Sequence, residues 1–123
     1  MLKYGFKKML AEANAVIETV SVQDLAHHLE DGGALLVDVR ETVEREREGD
    51  IPNSVHIARG LLEFQADPES PLYNDALSLD RPIVIYCASG GRSALAAKTL
   101  HDMGYPNVAS LAGGYAAWRT AKE

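Results

Sequence analysis

Cys87 is the only cysteine of the chain, and it sits in the run Pro82-Ile83-Val84-Ile85-Tyr86-Cys87-Ala88-Ser89-Gly90-Gly91-Arg92-Ser93-Ala94-Leu95. A short apolar, β-branched stretch bounded by Pro and Gly is the pattern of a strand buried on both faces. The small, polar, glycine-bearing residues after Cys87 cannot prolong that strand, and from about Ser93 the spacing turns helical. A thiol is therefore expected at the floor of a tight loop, with inward-pointing backbone N–H groups and a helix N-terminus behind it. Such a loop binds anions and favours thiolate over thiol, so Cys87 is the candidate nucleophile.

Positioning that loop requires a sheet. Ala34-Leu35-Leu36-Val37-Asp38-Val39 is a second buried strand with a charged tip, Asp38-Val39-Arg40, and Val55-His56-Ile57 and Val108 to Leu111 read as further strands. Ile17 to Val20 is a short β-like segment. Leu2, Phe6, Met9, Leu10, Ala13 and Ile17 recur at helical spacing, which predicts an N-terminal amphipathic helix. Ser21 opens a second helix with Val22, Leu25, Ala26 and Leu29 inward, and Glu41 to Glu48 reads as a short solvated helix. A helix is expected to start near Gly60 to Phe64, another over Leu72 to Leu79, and one from about Ser93 to Met103 that Gly104 ends. Gly113 to about Arg119 forms the last. Met9 and Met103 read as core. Alternating strands and helices imply an α/β domain with a mostly parallel central sheet flanked by helices. Ligands of such sheets bind beyond the strands' carboxyl ends, where Cys87 and Asp38-Arg40 both fall.

At 123 residues, with 46% apolar and 24% charged content, the chain has the size and composition of one globular domain. One cysteine excludes an intramolecular disulfide or a Cys-rich zinc site, and the four histidines lack metal-ligand spacing, so no metal is expected. The net charge of −6 argues against nucleic acid or an anionic membrane as partner. An anionic substrate needs local positive charge, for which Arg92, Arg59 and Arg40 are the candidates. No apolar run approaches the roughly 20 residues that span a bilayer, and the basic N-terminus lacks the h-region of a secretory signal. A cytoplasmic location is the resulting expectation.

From Ser21 to Trp118 the chain resembles the rhodanese family of single-domain sulfurtransferases. The resemblance rests on Asp38-Val39-Arg40-Glu41 with Glu44, Gly49-Asp50-Ile51-Pro52-Asn53-Ser54 with His56-Ile57, Tyr86-Cys87 through Arg92-Ser93, and Leu111-Ala112-Gly113-Gly114-Tyr115 with Trp118. Asp50 stands where the family usually has His, and Asn53 where it often has Gly. The resemblance implies a three-layer rhodanese-like domain over residues 17–123, preceded by a helical extension over residues 1–16. It implies that Cys87 takes sulfane sulfur from a donor such as thiosulfate as a persulfide and yields it to cyanide, a thiol or a protein acceptor, with no cofactor. Monomer and homodimer both remain open.

In this scheme Ala88, Ser89, Gly90 and Gly91 form the active loop. Gly90 and Gly91 let the backbone wrap tightly, while Ala88 and Ser89 are small enough to leave the mouth open. Arg92 closes the loop, either as a fork for an anionic donor or as a structural partner of Asp38 or Glu63. Arg59 is a second anion contact or a solvated surface residue. Asp38 reads as a loop-bracing acceptor, Arg40 with Glu44 as a local ion pair, and His56 as a satisfied core histidine. Two rivals stand beside this reading. One is phosphate-ester or arsenate chemistry: related phosphatases use a cysteine cradle closed by Arg after five residues, whereas four separate Cys87 from Arg92. A non-catalytic or redox-sensing module would keep the fold and use the loop only for binding or oxidation.

Overall fold

The computed structural model describes residues 1–123 as α1 (Phe6–Val16), β1 (Glu18–Val20), α2 (Val22–Glu30), β2 (Leu35–Asp38), α3 (Thr42–Glu48), β3 (Val55–His56), a 3-10 turn (Arg59–Leu61), α4 (Leu62–Ala66), β4 (Ile83–Tyr86), α5 (Gly91–Met103), β5 (Val108–Leu111) and α6 (Gly114–Lys122). The strands form one parallel sheet in the order β1-β5-β4-β2-β3. β4 is the central strand, flanked by β5 and β2 along its length. All carboxyl ends consequently meet at one edge, where Cys87 just past β4 lies between Asp38 at the end of β2 and Ser110 near the end of β5.

Strand side chains alternate between faces, and each face of this sheet is covered. Ile83, Ile85 and Cys87 join Ala13, Leu62, Ala97 and Leu100 in one apolar layer beneath α1, α4 and α5. Val84 and Tyr86 join Leu25, Ile51, Leu111 and Tyr115 in the other, against α2 and α6. The α/β three-layer expectation therefore holds, and the alternation places Cys87 on the α5 side.

α1 packs on α5, where Ala13 is wholly buried, so the N-terminal helix belongs to the same core. Its apolar face is narrower than the sequence implies: Leu2 precedes the helix and is exposed, as is Phe6, while Leu10 packs against the core. In α2, Ser21 Oγ accepts the Asp24 N–H, but of the expected inner face only Leu25 is fully buried.

Three further expectations are corrected. α5 begins at Gly91 rather than Ser93, because Gly90, at φ +113°, turns the chain directly into the helix. Met103 lies on the solvated side of α5 at 39% exposure, and Ala94, Ala96, Ala97 and Leu100 form its inner face. Residues 72–79 are consecutive turns, not a helix. There Ser70 Oγ, Asn74 Oδ1 and Ser78 Oγ accept the N–H groups of Leu72, Ala76 and Asp80, local bonds that compete with a helical ladder. Of the three leucines in that stretch only Leu77 is buried, so no apolar stripe holds a helix in place.

Ala13→Asp should lower unfolding stability by about 2 kcal/mol or more, since it puts a carboxylate in the α1–α5 contact. Ala15→Asp, on the exposed side of the same helix, should stay within about 0.5 kcal/mol. Urea midpoints of the two variants check the claim.

Candidate active site

Cys87 leaves β4 almost fully buried, at 1% exposure, and the chain then reverses over it. Gly90 N–H donates to Cys87 Sγ at 3.1 Å and Ser93 N–H at 3.4 Å. Ser93 is the third residue of α5, so its N–H is one of the first-turn donors that the helix cannot satisfy internally. The positive end of the 13-residue helix thereby faces the sulfur. Burial pushes the Cys87 thiol up. The Ser93 hydroxyl and the N–H groups of Ser93, Gly90 and Ser89 outweigh it, and the net shift is downward.

The hydroxyl beside the sulfur has a fixed partner. Ser93 Oγ lies 3.6 Å from Cys87 Sγ, 3.2 Å from the Gly90 carbonyl and 2.7 Å from Ser110 Oγ. Both serines are buried, and Ser93 is the sole side-chain partner of Ser110. With Ser110 donating to Ser93, the single Ser93 proton, directed to the Gly90 carbonyl beside the thiol, can turn to Cys87 once it is a thiolate. Neither serine figured as a functional residue at the sequence level. Ser93 lay within the quoted loop motif, but nothing local singles out Ser110, which arrives from β5.

The far side of the loop is held by the start of α6. Tyr115 N–H donates to the Cys87 carbonyl at 2.8 Å and Ala116 N–H to the Ala88 carbonyl at 3.1 Å. Gly114 sits between them at φ +59°, where a Cβ would lie 2.5 Å from the Cys87 carbonyl oxygen. Only glycine permits that approach.

Asp38 and Arg40 brace the neighbouring strand end, both at 0% exposure. Arg40 donates to Asp38 through its backbone N–H at 2.9 Å, its Nε at 3.1 Å and its Nη2 at 2.9 Å, and Nη2 also reaches the Gly49 carbonyl at 2.7 Å. Its guanidinium carbon lies 4.4 Å from the Tyr115 ring centroid and 5.5 Å from that of Tyr86, so Nη1, which has no hydrogen-bond acceptor, faces π-clouds instead. Burial pushes the Asp38 carboxyl up, but the Arg40 hydrogen bonds prevail and leave it below the usual carboxylate range. Arg45, unanticipated from sequence, adds a bond to Asp38 at 2.8 Å and another to Asp50 at 2.6 Å. Asp50, one departure from the family pattern, thus pins the turn from outside. The other, Asn53, is the one non-glycine residue with positive φ, at +69°, a conformation asparagine tolerates. His56 Nε2 donates to the Arg40 carbonyl at 2.6 Å.

The Arg40–Glu44 pair expected from helical spacing does not form. Glu44 instead takes Arg92 in a two-point grip, Nη1 to Oε2 and Nη2 to Oε1 at 2.8 Å each, while also capping α3 through the Glu41 N–H. The Arg92 bonds, aided by the Glu41 N–H, pull the Glu44 carboxyl down to about 2 against the opposing effect of burial. Neither Asp38 nor Glu63 partners Arg92. Glu63 pairs with Arg59 at 2.9 Å, and Arg59 also donates to Thr99 well along α5 at 3.1 Å, so its guanidinium is directed away from the loop. Cys87, Ala88, Ser89, Gly90, Gly91 and Arg92 are brought together, with Asp38 and Arg40 beside them and Arg59 turned outward.

A parallel sheet with a thiol in a backbone cradle at its carboxyl edge defines the rhodanese-like class. The rhodanese-like domain model matches residues 21–121, and the chain belongs to that family. The chain is 35% identical over 96 residues to thiosulfate sulfurtransferase GlpE of Pseudomonas syringae, covering 77% of this chain and 81% of that one. Among solved structures, a Rhodopseudomonas palustris protein of unknown function, described as a possible tyrosine phosphatase, superposes with a TM-score of 0.93 at 45% identity, over 99% of this chain and 94% of its own. The human single-domain sulfurtransferase TSTD1 superposes at 0.73 with 30% identity, over 85% of this chain and 96% of its own.

Ser93→Ala should move the pH midpoint of Cys87 alkylation by iodoacetamide upward by roughly one unit, and Ser110→Ala by less in the same direction. Because the net shift of the folded thiol is downward through these donors, the wild-type midpoint should lie below those of both variants. Unchanged midpoints in both variants would remove the hydroxyl pair from thiolate stabilisation.

Proposed function

We propose that the protein is a sulfurtransferase in which Cys87 carries sulfane sulfur from a donor such as thiosulfate to a thiophilic acceptor. The observation that carries the reading is the convergence of the Gly90 and Ser93 N–H groups on Cys87 Sγ. Donors fixed in place before the reaction stabilise an anion without reorganising, and they serve a thiolate and a persulfide alike. The thiolate attacks the outer sulfur of thiosulfate, forming the S–S bond of a Cys87 persulfide and expelling sulfite. Cyanide or a thiolate then attacks the outer sulfur and leaves with it, returning Cys87 as thiolate. Each half-reaction is a displacement at sulfur that balances without an external oxidant, and the double displacement follows the covalent route. Small thiols, cyanide and a cysteine on a protein all satisfy the acceptor's chemistry. No helix is long and apolar enough to cross a membrane, and a cytoplasmic site of action fits a thiol that must stay reduced.

A second reading, phosphate-ester hydrolysis, draws on the description of the Rhodopseudomonas palustris protein. Against it, Arg92 follows Cys87 after four residues rather than five, and its fork is gripped by Glu44 instead of being turned to an anion in the loop.

Intact mass after incubation with thiosulfate decides between these readings. The wild type should gain one sulfur, lose it on adding cyanide, and gain none as Cys87→Ser. No gain on a Cys87 that still alkylates would favour a binding or redox-sensing module. Hydrolysis of p-nitrophenyl phosphate by the wild type alone would favour the phosphatase.

A further inference from the structure

Thiosulfate carries two negative charges, and a site that favours it needs net positive charge near its sulfur-accepting atom. Five arginines lie on elements that follow the carboxyl ends of β2, β3 and β4, and each lies beside a carboxylate. Arg40 meets Asp38 at 2.9 Å, Arg45 meets Asp50 at 2.6 Å, the exposed Arg47 meets Glu48 at 3.6 Å, Arg59 meets Glu63 at 2.9 Å and Arg92 meets Glu44 at 2.8 Å. Glu41 adds a further negative charge felt by Arg92. The chain as a whole carries −6. A dianion approaching Cys87 therefore finds backbone N–H groups but no uncompensated arginine on these elements, and Arg119 of α6, which lines a cleft beside Ala88, shares that cleft with Glu48 and Glu123.

Among these pairs, Arg92–Glu44 is the one built on the active loop itself. The other carboxylates have their own tasks: Asp38 holds a buried arginine, Asp50 pins a turn, and Glu63 faces away from the loop. Glu44 lies across 48 residues of chain from Arg92, in α3, and meets both ends of its fork. With 18% of its side chain exposed, it is the better shielded partner of the two. Arg92 can still donate its remaining N–H bonds, but it does so from a pair of zero net charge.

We infer that Glu44 is a donor-selecting residue: by neutralising Arg92 it biases Cys87 toward sulfur donors of low charge, alkyl hydropersulfides (RSSH and RSS⁻), over the thiosulfate dianion. Attack on the outer sulfur of RSSH forms the Cys87 persulfide and releases the thiol, with the thiol taking the proton of the hydropersulfide. The same loop, the same nucleophile and the same product serve both donors. Only the charge of the departing group differs, and that charge is what the Arg92–Glu44 pair does not compensate. The inference rests on Cys87 acting as a sulfur carrier.

Single-turnover loading of Cys87, followed by quenched intact-mass measurement with thiosulfate and with hydroxyethyl hydropersulfide, tests it. For the wild type the loading efficiency with thiosulfate should be about tenfold or more below that with the hydropersulfide, and nearly independent of salt between about 0.05 and about 0.5 M. In Glu44→Gln the ratio of thiosulfate to hydropersulfide efficiency should rise about tenfold, the effect of one uncovered charge on a dianion at short range, chiefly through the half-saturating thiosulfate concentration. It should become salt-sensitive. Taking the ratio cancels any general loss from a looser loop, and Arg92→Met combined with Glu44→Gln should abolish the gain. A ratio that does not rise in Glu44→Gln, or wild-type thiosulfate loading that already falls steeply with salt, overturns the inference. Loading by neither donor in the wild type removes the sulfur-carrier reading and this inference with it.

Discussion

Gly90 and Ser93 can both donate to one sulfur atom only because the chain reverses within three residues of leaving the central strand, and the rest of the structure makes that reversal stable. Gly90 supplies a left-handed backbone angle that L side chains rarely adopt. Gly114 lets the start of α6 lie against the Cys87 and Ala88 carbonyls, so the outward-facing acceptors of the loop are consumed by another helix while its inward-facing donors stay on the sulfur. A parallel sheet provides the place, since its strands end together and its central strand is covered on both faces. The sulfur is thus held in a desolvated position where N–H donors count for more than they would in water.

Burying Asp38 and Arg40 at the adjacent strand end carries the desolvation cost of two charges, and a buried pair is not by itself a stabilising device. Here its return is geometric. Asp38 collects donors from Arg40 and Arg45, Arg40 reaches the Gly49 carbonyl, and the Tyr86 hydroxyl, itself at the end of β4, accepts the Ile51 N–H. These bonds tie the turn at 49–54 to β2 and β4, while Tyr115 links the Arg40 guanidinium to α6. The same tyrosine whose N–H holds the Cys87 carbonyl presents its ring to Arg40, so the brace and the active loop share a residue.

The parts legible in the sequence are those whose signals are local. Apolar runs between Pro and Gly gave β4 and β5, Gly104 marked the end of α5, and the small residues after Cys87 announced a tight loop. The failures also have local causes. Residues 72–79 offered apolar residues at helical intervals, but Ser70, Asn74 and Ser78 spend the backbone donors in turns, a competition that periodicity does not register. Helical spacing paired Arg40 with Glu44, yet Arg40 is drawn inward by Asp38 two residues earlier, which frees Glu44 for Arg92. Ser110 sits in a strand where a small polar residue carries no signal until β5 is laid beside the loop.

The scaffold separates two electrostatic tasks. Stabilising the sulfur anion falls to neutral groups: two backbone N–H donors, a serine hydroxyl and a helix terminus, all within reach of Sγ and none adding net charge. The formal charges of Arg40 and Arg92 are cancelled by Asp38 and Glu44. A lone cation at the loop would also have stabilised a thiolate, but it would have held any anionic leaving group beside the persulfide it had just formed. With Arg92 matched by Glu44, the cradle can hold the carried sulfur without equally holding what departs, and the identity of the donor becomes a question of charge at the mouth, apart from nucleophilicity at the floor.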